Sequence, residues 1–375
     1  NTTANENTAV GYGSLGSNTT GTQNVAVGAS ALDANTTGSY NVSLGRNSLG
    51  ANTEGSSNIA IGENALMTNT TADNNVAVGQ AALIYNTASN NTAVGKSALF
   101  ANTTASGNTA VGSLSLTANT TGHTNTAVGR QSLMSNVDGF RNTAVGQDSL
   151  RLNTTGVQNT AVGSFALDKN TTASDNTAFG HAALTANTTG ASNVSVGAYA
   201  LDANTTGGSN VAVGYAAFGA NTTGSNNTAI GAAALDANTT ASNNTAVGQN
   251  ALSGCTTGDS NVAIGMGAGI SFTTGNSLVA VGRDSAFNTT TGIGNTALGR
   301  SSLYSNQTGN YNVAIGQSSL QSNTNNNNVA AGFESLKFNT SAANNTAIGH
   351  QALKANTTAS NNTAVGASAL LSNTT

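Results

Sequence analysis

Asn24-Val25-Ala26-Val27-Gly28, followed by Ala31-Leu32 and then Asn35-Thr36-Thr37-Gly38, is one copy of a unit that fills the whole chain. With its glycine at position 5, copies begin at residues 7, 24, 41, 58, 75, 91, 108, 125, 142, 159, 176, 193, 210, 227, 244, 261, 278, 295, 312, 328, 345 and 362. The spacing in these 22 copies, the last one cut short, is 17 residues except after 75 and 312, where it is 16. Both deletions fall between position 12 and the next copy, which marks that segment as a turn that tolerates length change. Self-similarity at a fixed period is the signature of a stacked repeat architecture.

The columns of this repeat predict its geometry. Position 2 is Thr, Val or Ile in every copy, a strand signal from β-branching. Position 3 is Ala except at Ser43 and Ser195, and position 4 is Val, Ile or Leu except at Phe179 and Ala331. Position 9 is Leu in 19 copies. Seventeen residues are too few for a helical hairpin, whose repeats run to ~34. They suit two strands of about five residues with two turns. The fold class read from this is all-β: a parallel β-solenoid, or β-roll, of about 22 coils forming a single continuous domain over residues 1–375. Coils stacked ~4.8 Å apart would give a rod of roughly 100 Å. Position 5 is invariant, and Gly11, Gly28, Gly45, Gly62, Gly79 and Gly95 are read as corners where φ turns positive.

Position 12 is Asn in 19 copies. Stacked at one place in each coil, Asn18, Asn35, Asn52, Asn69, Asn102, Asn119, Asn153, Asn170, Asn187, Asn204, Asn221 and Asn238 are read as rungs of an amide ladder. Asn at position 1 suggests a second, looser ladder. Fifteen of the 19 position-12 asparagines also satisfy the N-glycosylation rule, for example Asn18, Asn35, Asn102 and Asn221. If exposed they would carry sugars; if they form an inward ladder the motif is incidental. Crowding at ~4.8 Å spacing favours the ladder.

Adjacent strand residues point to opposite faces, yet Ala at 3 and Val at 4 are both apolar. This predicts a strand buried on both faces, with one apolar stripe meeting partner chains, as in a symmetric homotrimer. The alternative is a monomer in which Ala at position 3 is a small surface residue. Charged residues such as Arg46, Glu63, Lys96, Arg130, Asp148, Arg151 and Lys169 sit at positions 6, 7, 10 or 11, the expected outward bends. One region breaks the pattern, in irregular coils at about 252–290. Position 12 becomes Cys255, Phe272 and Thr289, position 9 becomes Gly269 and Ala286, and position 1 becomes Leu278. Phe272, Ile270 and Phe287 are expected to refill the lost leucine volume. The sequence leaves two readings there, a binding notch or kink and a local repacking.

Composition and motifs argue against several classes of function. The net charge is −4 with no basic patch, so nucleic acid and anionic membrane are not expected partners. No apolar run approaches the ~20 residues of a membrane span, so no membrane insertion is expected of this segment. The lone Cys255 has no internal disulfide partner. His123, His181 and His350 are far apart, and no acidic loop suits calcium. Gly265-Met266-Gly267-Ala268-Gly269 lacks the Lys and helix of a phosphate loop. No catalytic residue, metal site or cofactor is predicted, and no enzyme. Thr at positions 2, 13 and 14 raises ice binding. Val and Ile interrupt position 2, however, and 13 and 14 are adjacent, so they would face opposite sides.

Asn58-Ile59-Ala60-Ile61-Gly62-Glu63-Asn64-Ala65, with Asn261-Val262-Ala263-Ile264-Gly265 and Asn312-Val313-Ala314-Ile315-Gly316, resembles the head repeats of trimeric autotransporter adhesins of the YadA type. It is similar also to repeats that precede the chaperone domain of phage tail-fibre-like proteins. The resemblance covers nearly the whole chain but rests on a short motif. It implies a left-handed β-roll trimerised about its axis. This unit is longer than the usual head repeat by its Asn-Thr-Thr-Gly segment, and no stalk, anchor or chaperone domain is visible. The chain opens at Asn1-Thr2-Thr3, the tail of a repeat, and is read as part of a longer protein. The functional expectation is an extracellular fibrous adhesin or phage-fibre shaft at a cell or virion surface. It would self-associate and engage a host receptor or glycan through many weak contacts. The alternatives are a filament or sheath subunit joined end to end, and an ice-binding protein.

Overall fold

A computed structural model describes residues 3–374. Among them there is no helix, and each repeat contributes one strand, at positions 2–4. The chain forms a parallel β-solenoid with a 17-residue coil, divided into two compact units, Asn1–Thr189 and Gly190–Thr375. The first holds β1 (Thr8–Val10) to β11 (Thr177–Phe179), and the second β12 (Val194–Val196) to β22 (Thr363–Val365), numbered in chain order. Within each unit, successive strands pair in parallel and in register. Thr8, Ala9 and Val10 face Val25, Ala26 and Val27, and Val211 to Val213 face Thr228 to Ile230. The 16-residue coil does not disturb this, because Val76 still pairs with Thr92. A slip of one residue would turn every core side chain outward.

The strands are shorter and fewer than the sequence suggests. Two strands of about five residues per coil were the expectation, and one strand of three is what forms. The remainder runs as turns, because positions 7, 9 and 17 take left-handed backbone. In the second coil Ser30, Leu32 and Tyr40 have φ of 53°, 54° and 61°. Left-handed Leu costs roughly 1–2 kcal/mol. Its complete burial contributes on the order of 1.5–3 kcal/mol. Its N–H also donates to the carbonyl of Ser48 one coil on, at 3.1 Å. Hydrogen bonding between coils thus continues around the perimeter without an extended second strand.

The corner glycines are required twice over. Gly28 has φ +136°, and a Cβ there would stand 2.7 Å from the carbonyl of Gly45 in the next coil. Gly11, Gly45, Gly62, Gly79 and Gly95 share this conformation, with φ between 130° and 136°.

Within one chain the strand buries one face, that of position 3. In Val25–Val27 the middle residue, Ala26, is fully buried, Val25 is half-buried and Val27 is exposed. Position 3 therefore points inward with positions 8 and 9, as Ala31 and Leu32 do. Ala at position 3 is core, neither a surface residue nor part of a second apolar face. The two serines at this position are satisfied alike: Ser43 Oγ donates to the Ser48 carbonyl and Ser195 Oγ to the Ala200 carbonyl, each at 2.7 Å.

Candidate functional site: an inner amide spine and a charge-free sheet face

From Asn18 to Asn356 the position-12 asparagines lie inside, buried, and bond to one another along the stack. Asn35, Asn52 and Asn69 each donate Nδ2 to the Oδ1 of the preceding rung, at 2.8, 2.8 and 3.0 Å. Each rung spends its other N–H on the position-15 carbonyl of its own turn, as Asn35 does on Gly38 at 2.9 Å. Further along the first unit the chain runs through Asn102, Asn119, Asn136, Asn153, Asn170 and Asn187. It breaks once, at the 16-residue coil. The shortened turn draws Asn86 Nδ2 to the Ala88 carbonyl, and Asn69 Oδ1 is left without a partner. In the second unit Asn221 donates to Asn204 at 2.7 Å. Its Oδ1 turns to the Gly224 N–H, and Asn238 Nδ2 is left unpaired.

Position 1 forms the looser amide ladder expected of it only in places, Asn159 donating to Asn142, Asn227 to Asn210, Asn312 to Asn295 and Asn362 to Asn345 at 3.1–3.2 Å. Its side chains mainly clamp backbone on two levels. Asn24 Nδ2 donates to the Gly38 carbonyl, while the Oδ1 of Asn7 accepts the backbone N–H of Asn24, both at 2.9 Å. The same pair of bonds recurs at Asn41 and Asn58.

The irregular coils hold no notch. Cys255, Phe272, Leu278, Ala286 and Thr289 are all fully buried. Cys255 takes the place of a rung, its thiol donating to the Gly258 carbonyl at 3.4 Å. Burial pushes its pKa up to about 11. Gly269 has φ +59°, and Leu252 and Leu278 close over the space its missing side chain leaves, 3.1 and 3.2 Å from where a Cβ would sit. Phe272 fills the adjoining rung position and lies across Gly275. Leu278 and Phe272 therefore do the refilling. Ile270 and Phe287 are only half-buried, and Phe287 stacks on Tyr304 at 5.0 Å. Thr289 Oγ1 has no hydrogen-bond partner. Among the described residues there is no cavity.

The titratable groups are spread along the coils, with Asp148 and Asp168 buried. Arg151 reaches Asp168 at 2.8 Å, which raises the guanidinium's affinity for its proton. Glu334 receives Lys337 and Lys354, each at 2.6 Å, and these ammonium donors lower its pKa to about 2. Each histidine packs on a phenylalanine: His123 on Phe140, His181 on Phe165 and His350 on Phe333. No group of three or more His, Cys, Asp or Glu among the described residues has metal-binding geometry. The aromatic pairs, Tyr199–Tyr215 among them, escape a reading by column because partners often occupy different positions. Their signal was separation by about one coil.

The outer face of the sheet is the most uniform surface. It consists of columns 2 and 4, which point outward together. No Asp, Glu, Lys, Arg or His occurs in either column in any strand. Large apolar side chains stand exposed in column 4: Phe179 at 56 %, Ile230 at 40 %, Ile315 at 42 % and Ile348 at 45 %. Column 6, one residue past the corner, is equally outward and carries Arg46, Glu63, Lys96, Arg130, Arg283 and Arg300. From β6 (Thr92–Val94) to β11, column 2 is an unbroken row of Thr92, Thr109, Thr126, Thr143, Thr160 and Thr177 in register. The Thr of position 13 behaves differently, its hydroxyl being spent on the next coil, as in Thr36 Oγ1 to the Thr53 carbonyl at 3.0 Å. Among the described residues no helix is long and apolar enough to cross a membrane. Compared with models of known protein families and with curated proteins, the chain matches none.

Proposed function

We propose that this chain is a non-enzymatic, extracellular fibrous protein of the adhesin or phage-fibre kind, working as a homotrimer whose subunits meet through columns 2 and 4. The observation that carries the reading is the exposed apolar column 4, free of charge in every coil beside a column 6 rich in charge. A charge-free face on which large apolar side chains recur partly or largely exposed marks an interaction site. A stripe repeated coil after coil suits a partner with the same periodicity, and a second copy of the chain has it. The trimer would present its outward columns 6, 7, 10, 14 and 17 to a surface receptor or glycan many times over, and attachment would follow from avidity. Light scattering tests this directly: the expected mass is three times the chain's 36.7 kDa. Val111→Lys with Val145→Lys, which place charge in column 4, should release monomers that keep their β-structure. A wild-type monomer overturns the proposal.

A second reading of the same face has its own observation. The hydroxyls of Thr92, Thr109, Thr126, Thr143 and Thr160 engage no protein acceptor, and they stand in register ~4.8 Å apart. Such an ordered array of hydroxyls and methyls suits an ordered water lattice, and so ice. This reading requires an uncovered face. A monomer with thermal hysteresis would replace the trimer reading, and a monomer without it would reject both.

A further inference from the structure

The structure places two sets of N-glycosylation motifs of this chain differently, and we propose that the acceptors are the asparagines that immediately precede position 1 (position 17, or 16 at Asn90 in its shortened coil) and not those of position 12. In Asn90-Asn91-Thr92, Asn226-Asn227-Thr228, Asn243-Asn244-Thr245, Asn344-Asn345-Thr346 and Asn361-Asn362-Thr363, the first Asn is exposed. The middle Asn, at position 1, turns into the core, fully so at Asn91, Asn244 and Asn345. The Thr stands in column 2 on the outer face. Amide and hydroxyl are thus presented together on the outside of the coil. The backbone beneath is fixed, with φ of 65° at Asn90 and its N–H on the Asp73 carbonyl at 3.1 Å. In the Asn-Thr-Thr motifs the order is reversed. Asn35, Asn102 and Asn221 are completely buried, with both amide hydrogens committed to the spine.

The group added is an N-linked sugar. Asn Nδ2 attacks the anomeric carbon of a sugar carried on a polyprenyl diphosphate. The N–C bond forms, the C–O bond to the diphosphate breaks, and the diphosphate leaves with the bonding pair while the amide gives up one proton to the transferase. Asn226 and Asn243 lie in adjacent coils, as do Asn344 and Asn361, whose side chains touch at 3.3 Å. A sugar ring is wider than the ~4.8 Å between coils, so each pair has room for one glycan. Asn90 has no such neighbour. A glycan on a buried position-12 Asn, from Asn18 to Asn356, has no room at all, and a nascent chain so modified cannot close its coil.

The test is secretion of the full chain from yeast. Soluble, folded protein is collected, and its peptides are treated with a peptide N-glycosidase in heavy-oxygen water, which hydrolyses the side-chain amide and converts each glycosylated Asn to labelled Asp, and are mapped by mass spectrometry. The expected result is label at Asn90, at one member of each pair per molecule, and at no position-12 Asn from Asn18 to Asn356. Thr92→Ala removes the motif at Asn90 and keeps its amide, so it should abolish that label alone. Label at Asn35, Asn102 or Asn221 in folded protein overturns the proposal. So does an unlabelled Asn90 beside a secreted control glycoprotein that is fully occupied.

Discussion

Removing one rung from the middle of the amide spine measures what the spine contributes. Asn119 donates Nδ2 to Asn102 Oδ1 at 2.9 Å and to the Gly122 carbonyl at 2.8 Å, and its Oδ1 accepts from Asn136 at 2.8 Å. In Asn119→Ala the Gly122 carbonyl keeps a donor, because Asn108 Nδ2 also reaches it at 2.9 Å. Asn136 keeps its bond to Gly139. Two groups lose their only partners, Asn102 Oδ1 and one N–H of Asn136, and neither has access to water. At about 1–3 kcal/mol for each buried unsatisfied group, the cost is about 2–6 kcal/mol. Coils in a solenoid contact only their neighbours, so the loss should concentrate near the lesion. Native-state hydrogen exchange is therefore the assay. Amides of Leu116 and Leu133 should lose protection by about 30-fold or more, since ~1.4 kcal/mol is a factor of ten. Thr121→Ala, exposed on the same coil, serves as the control and should change nothing. A change below about threefold at every amide of these coils would mean that the spine is a passenger of backbone stacking, and the reasoning would fail.

Four further outcomes follow from the same geometry. Asn119→Asp places a buried carboxylate against Asn102 Oδ1 and the Gly122 carbonyl. Its folded pKa is then raised above the unfolded ~3.9, so its coil is stable below that value and loses protection as pH rises. Exchange measured from pH 3 to 7 should show the trend, and its reversal would refute the spine's polarity. Gly112→Ala puts a Cβ at φ +134° and 2.4 Å from the Gly129 carbonyl, so local opening of those coils should appear even at low temperature by limited proteolysis. Cys255, buried with its pKa pushed up to about 11, should resist a thiol reagent at pH 8 in the native state and react at once in denaturant. Glu334, held at about 2 by Lys337 and Lys354, has a folded pKa below the unfolded ~4.3. Its contribution is present above pH ~4.3 and is lost as pH falls through about 2, and Glu334→Gln should flatten that acid dependence in a pH series of melting curves.

What could be read from the sequence depended on whether a column's chemistry admits one geometry. Gly at position 5 admits one: only glycine reaches φ near +135° with the next coil's carbonyl against its Cα. Asn at position 12 admits nearly one, because a buried amide repeated at a fixed place must find its copies. The strand's orientation was ambiguous for a physical reason. Alternation reveals a buried face only when the other face is polar, and here Ala26 and Val27 are both apolar. The distinction lay in size, since only the small residue fits the narrow interior. The left-handed turns were invisible because no propensity marks Leu32 for φ +54°. Stacking imposes that conformation. The repacking at 255–289 was visible as a coupled loss, but which residues refilled it depended on packing, and Leu278 entered from a polar column.

The fold itself does not require the outer face to be free of charge, and this gives columns 2 and 4 their weight. Coil geometry is set from inside, by positions 1, 3, 5, 9 and 12. Column 4 accepts Phe179 with its pairing to the preceding strand intact, and Ala331 and Leu298 with pairing intact on either side. A column so indifferent to shape should be equally indifferent to Lys or Glu on grounds of stability, since a surface charge on a strand costs little in water. Exposed edges and faces of β-structure are commonly guarded by such charges against association. Column 6 has them, two residues further along the same chain, and columns 2 and 4 have none. The pattern is that of a surface kept fit for association, and it supports the proposal that partner chains would meet columns 2 and 4 and leave the variable outward columns facing away.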